Sequence, residues 1–97
     1  MDEQKVREDA QTHGNAVVRN DLQVAGSYLS PEAMRAAQEV MGQLPRPVQA
    51  AEVFDVSSEG AAVVAQIRYL GESDAKVVES RWEERDGTPK ITHLRVV

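Results

Sequence analysis

Two prolines, Pro45 and Pro47, divide this chain into halves with different periodicities. Proline lacks the backbone donor and clashes with the preceding helical turn, so no helix runs through Leu44-Pro45-Arg46-Pro47. Before that break, apolar residues recur every three or four positions. After it, three turn sequences separate runs rich in β-branched residues: Ser57-Ser58-Glu59-Gly60, Gly71-Glu72-Ser73-Asp74 and Asp86-Gly87-Thr88-Pro89. Helices followed by consecutive hairpins is the order of an α+β domain, not of alternating βαβ units. The chain has 97 residues, which is one domain with one thin core, covering residues 1–97.

The helical half spans about residues 2–44. Val6, Ala10, His13 or Gly14, and Val17 or Val18 mark one face of a helix over 2–19. Asp2 and Glu3 suit its N-terminus and Arg19 its C-terminus. Asn20 interrupts it, and Asp21 suits the N-cap of a short second helix with the stripe Leu22, Ala25, Leu29. Ser30-Pro31-Glu32 restarts the chain with a cap, an N1 proline and a first-turn acid. Met34, Ala37, Met41 and Leu44 then share a face of a third helix, which places both methionines in the core.

The β-meander spans about residues 48–97, with strands near 48–57, 61–70, 75–85 and 90–97. An even loop at Glu72-Ser73 sets Tyr69, Ile67, Ala65 and Val63 beside Lys76, Val78, Ser80 and Trp82, a mostly apolar inner face. Arg68, Gln66, Glu79, Arg81 and Glu83 fall on the opposite face. The first strand has two registers. An even loop points Val48, Ala50, Glu52, Phe54 and Val56 inward; a bulge at Gly60 points Ala51, Val53 and Asp55 inward instead. The first set is more apolar and is preferred. The last strand stays open between Ile91, His93 and Arg95 inward and Thr92, Leu94 and Val96 inward.

This layout resembles the SnoaL-like branch of the nuclear transport factor 2-like superfamily. The resemblance rests on the short helix opening in NDLQVAGSYLSPEA and on the closing hairpin VVESRWEERDGTPKITHLRVV, with its Asp-Gly turn. It implies N-terminal helices packed on a curved four-stranded antiparallel sheet, a cone with a pocket at its wide end. It also implies a small hydrophobic ligand and a homodimer through the sheet. Members usually carry an additional strand or hairpin after the second helix. Here Pro31 to Leu44 is helical, which implies a shallower cone and a smaller pocket. No catalytic residue of the family transfers to a position in this chain.

Composition narrows the function. Eleven basic residues face sixteen acidic ones, a net charge of -5, so no basic stripe exists for nucleic acid or for an anionic membrane. No apolar run approaches the roughly 20 residues of a membrane span. There is no cysteine, which fits a cytoplasmic setting and removes thiolate and Cys-zinc chemistry. The N-terminus has no basic and apolar signal pattern. His13 and His93 stand alone, without metal-ligand spacing, and nothing implies a cofactor.

The expected function is therefore ligand binding or dimerisation, with Tyr28, Tyr69 and Trp82 lining a pocket. An acid–base enzyme is the alternative. Glu52, on the preferred inner face, would be its acid or base and His13 its proton shuttle. A protein–protein adaptor using the charged sheet face is the third reading. The alternation Glu79, Arg81, Glu83, Arg85 is a solvated face or, on the functional reading, a dimer interface.

Overall fold

The computed structural model describes residues 1–97, all of the chain. Helix α1 covers Glu3–Val18 and α2 covers Leu22–Ser27. A 3-10 turn, Pro31–Ala33, leads into α3, Met34–Met41. Four strands follow, β1 (Ala50–Glu59), β2 (Ala62–Leu70), β3 (Ala75–Arg85) and β4 (Thr88–Val96), in one antiparallel sheet of order β1-β2-β3-β4. The helices pack on one face of the sheet, as the periodicities predict.

The caps explain the helix boundaries. The Asp2 carboxylate accepts from the Gln4 amide at 2.9 Å, and Asp21 accepts from the Val24 amide at 3.2 Å. Asn20 turns left-handed at φ 57° between the two helices. Ser30 occupies its expected cap position but makes no side-chain cap bond. Its backbone instead donates to the Ile91 carbonyl at 2.9 Å, while Ile91 donates to the Tyr28 carbonyl at 2.7 Å. The chain between α2 and α3 is thereby tied to the edge of β4, with no strand between those helices.

The edge strands resolve the register question in the same way. The Gly60-Ala61 turn of two residues sets Val56 opposite Ala65, on the inner face. Phe54 is then an extra residue, a bulge, and parity flips so that Val53 and Ala51 face inward opposite Ile67 and Tyr69. Each expected register holds for one part of the strand. Glu52 follows the flipped parity and stands outside, opposite Arg68. In β4, the turn at Asp86 and Gly87, with φ 53° and 82°, sets Ile91 opposite Trp82. Thr92 is the bulge there, and Leu94 and Val96 face inward beyond it.

The core lies between α1 and β1–β2 and continues under Trp82 and Ile91, both fully buried. Val6, Ala10 and Ala16 of α1 are 0% exposed. A Cβ at Gly14 would stand 3.0 Å from the Ala51 Cβ, so the absent side chain is what lets α1 lie against β1. Gln11 of α1 satisfies the free edge of β1: its amide donates to Ala51 O at 2.9 Å and accepts from Val53 N at 3.2 Å. Met34 departs from expectation. The tighter 3-10 turn rotates the stripe, so Ala33 takes the inward position at 1% exposure and Met34 is 48% exposed.

Candidate functional site

α2 and α3 cover the other half of the sheet without closing on it. Between them and β2–β4 lies an open cavity of about 230 Å³. Eighteen residues line it, fourteen of them hydrophobic and none carrying a formal charge at neutral pH. Ile67, Val78, Ile91 and Leu94 form the sheet side. Ala37, Val40, Met41 and Leu44 form the side of α3. Leu22 and Met34 also line it, and both are large apolar side chains held about half in water. The expected core face of the third helix is thus largely a cavity wall.

Four lining residues are not hydrophobic: His13, Gly26, Gln38 and Ser80. The Ser80 hydroxyl is engaged as donor and acceptor: it donates to the Ala65 carbonyl at 2.8 Å and accepts from the Trp82 indole at 2.9 Å. Ser80 is therefore a link that fixes Trp82. His13 is 6% exposed, and its Nδ1 lies 3.0 Å from the Ala25 carbonyl. A carbonyl only accepts, so Nδ1 carries the proton and Nε2 is left as an acceptor. Burial in apolar surroundings lowers the His13 pKa to about 4, against a weaker opposing effect of the Ala25 bond, so the ring is neutral at pH 7. Tyr69, 2% exposed, lines the same cavity, and burial pushes its hydroxyl pKa up.

The residues singled out in the sequence separate into three places. His13 and Tyr69 are brought together on the cavity wall. Tyr28 and Trp82 stand behind it: their rings meet edge to face at 5.9 Å, and each meets His13 in the same manner, at 6.0 and 6.5 Å. They support His13 and do not line the cavity. Glu52 lies on the opposite face of the sheet, in an ion pair with Arg68. The Phe54 bulge removes it from the apolar side of the sheet. Gln11 was not singled out, and the α3 face of Ala37, Met41 and Leu44 was read as core and not as a cavity wall. The signal for that wall was the small Ala37 on the apolar face of the third helix, in a chain with only four aromatics.

The outer face is a lattice of ion pairs. Arg81 bonds Glu59 at 3.1 Å and Glu83 at 3.4 Å, Arg85 bonds Glu32 at 2.6 Å, and Arg95 bonds Glu79 at 3.0 Å. Bonds from Gln66 and Arg95 lower the Glu79 pKa, and bonds from Thr92 and then Arg85 and Arg81 lower that of Glu83. Arg68 also stacks on Phe54, 4.2 Å from the ring centre. His93 sits on this face, exposed, opposite Arg81. No group of three or more His, Cys, Asp or Glu is placed to hold a metal ion. No helix is long and apolar enough to cross a membrane.

No family model matches this sequence, and no curated protein matches it. Among solved structures, the fold is similar to that of an NTF-2-like protein of unknown function from Burkholderia xenovorans. The TM-score is 0.64 over 98% of this chain and 83% of that one, at 18% identity. The chain therefore has the nuclear transport factor 2-like fold, as the sequence resemblance implied.

Proposed function

We propose that this domain binds a small, neutral, largely apolar molecule in the cavity between α2–α3 and β2–β4. The observation that carries this reading is the cavity itself. An apolar cavity of roughly 150 Å³ is enough to bind benzene, and this one is about 230 Å³ with an open mouth. That is below the roughly 300–1,000 Å³ of drug-sized sites, so the fitting molecules have one or two rings. The sequence resemblance to the SnoaL-like branch supports a small-molecule site. The acid–base alternative has lost Glu52, and no carboxylate lines the cavity beside His13.

Thermal unfolding at fixed protein concentration, against a panel of neutral ring compounds, tests the reading. A compound at 100 times its Kd adds about 2.7 kcal/mol. That raises the midpoint of a domain this size by roughly 10–20 °C. A shift that disappears when Ala37→Leu fills the cavity supports the site. A panel without any shift overturns it.

A homodimer through the sheet is the second reading. The stacked Phe54, 43% exposed beside Arg68, favours it as an apolar contact on an otherwise charged face. Against it, the acidic and basic groups around Arg81, Glu83 and Glu79 are already paired within one chain. A dimeric mass by light scattering that turns monomeric in Phe54→Ser supports the dimer; a monomeric wild type removes it.

A further inference from the structure

On the two well-buried polar residues His13 and Tyr69 of the cavity wall, one atom each has no partner. His13 Nε2 and the Tyr69 hydroxyl make no hydrogen bond within the chain, although their residues are 6% and 2% exposed. Ser30 Oγ is the one side-chain polar atom sealed from water without a partner. Nε2 and the Tyr69 hydroxyl are therefore reached from open space, and the cavity is the open space both residues line. They are also neighbours: the Tyr69 hydroxyl ends 3.8 Å from the Cβ position of Gly14, the residue after His13.

The two atoms differ in what they ask of a ligand. A tyrosine hydroxyl donates or accepts, so it is satisfied by any oxygen. Nε2 has its tautomer fixed by Ala25 O, so it accepts only. An occupant without a donor leaves that nitrogen buried and unpaired. A charged occupant is disfavoured, because no opposite charge lines the wall.

We propose that the occupant is a neutral ring compound bearing a hydroxyl group, a phenol or a cyclic alcohol, whose O–H donates to Nε2 of His13. This rests on the binding reading above. The supporting aromatic edges of Tyr28 and Trp82 hold the imidazole in place for that bond. The neutral state of His13 at pH 7 keeps the acceptor available.

Three probes of similar size separate the outcomes: phenol, which donates and accepts; anisole, which only accepts; and toluene, which does neither. Their Kd values are read by amide chemical-shift titration of the wild-type chain. The expected order puts phenol roughly tenfold tighter than both anisole and toluene. The imidazole Nε2 resonance should move on phenol addition and stay still with toluene. His13→Leu should bind phenol and toluene equally; if that variant does not fold, the wild-type order and the nitrogen resonance still decide. Anisole equal to phenol, with toluene weaker, assigns the polar contact to Tyr69 and overturns the proposal. Toluene binding as tightly as phenol overturns it while leaving the apolar site standing. Binding by none of the three overturns both.

Discussion

Helix α1 and the α2–α3 pair cover the same face of one sheet, yet one is packed to contact and the other stands off. Both use small residues. In α1, Ala10, Gly14 and Ala16 face inward, and the small side chains let the helix backbone settle on β1 and β2. In α3, Ala37 and Val40 face inward, and the space they do not fill remains open. The difference lies in the tethers. The chain before α3 is bonded to the edge of β4 through Ser30 and Tyr28. The chain after it is wedged at the β2–β3 turn, where Pro45 lies against Gly71 so closely that a Cβ there would be 2.5 Å away. A helix pinned at both ends does not sink to close a gap. Small residues thus make a tight interface where the backbone is free to approach, and a cavity where it is held off.

Trp82 joins the two regions, so its loss should have the largest effect. It is 0% exposed, touches His13 and Tyr28, and donates to Ser80. Trp82→Ala should cost about 3–5 kcal/mol in urea unfolding. A near-neutral result would mean that the packed half stands without it.

His13 sits on the boundary, and acid should weaken the fold through it. Its folded pKa is about 4 against 6.5 for the free side chain. Below pH 6.5 the unfolded chain binds a proton at His13 that the folded chain does not, so stability falls with pH until about pH 4. The total is roughly 3 kcal/mol. His13→Gln should flatten the stability–pH curve between pH 6.5 and 4.5, before the carboxylates dominate. An unchanged slope would place the imidazole in water.

A matched pair of enlargements sharpens the contrast directly. Ala10→Leu adds volume where none is free and should cost about 1–3 kcal/mol. Ala37→Leu adds the same atoms facing the cavity and should be neutral or stabilising by up to about 1 kcal/mol. Equal losses in chemical denaturation would erase the distinction between the halves. The smallest effect is expected far from both, on the exposed Glu52–Arg68 pair: Glu52→Gln should change stability by less than about 1 kcal/mol.

Much of this was legible in the sequence, for local reasons. The Pro45–Pro47 break, the Asp21 cap and the Asp-Gly turn each act within a few residues, and each falls where it was expected, whereas Asp2, read as an acid suiting the dipole of a helix over 2–19, is the N-cap of that helix. The central hairpin follows alternation, so Ile67, Val78 and Trp82 were placed correctly on the inner face. Phe54 and Thr92 were not legible as bulges. A bulge is set by how an edge strand bends around its covering helix and tethers, which no alternation encodes, and Glu52 was misplaced for that reason. The cavity was hidden similarly. Met41 and Leu44 have the spacing of a core face, and only the tethers at Ile91 and Gly71 show that part of that face lines open space.

On the binding reading proposed above, the hollow half takes the ligand and the packed half does not. Methyl resonances of valine, leucine and isoleucine, followed during phenol titration, test it most directly. Saturable shifts are expected at Ile67, Val78, Ile91 and Leu94 around the cavity, with Val6 and Val63 of the packed half unmoved. Shifts centred on the outer sheet face, or no saturable shift at the cavity methyls, would contradict it.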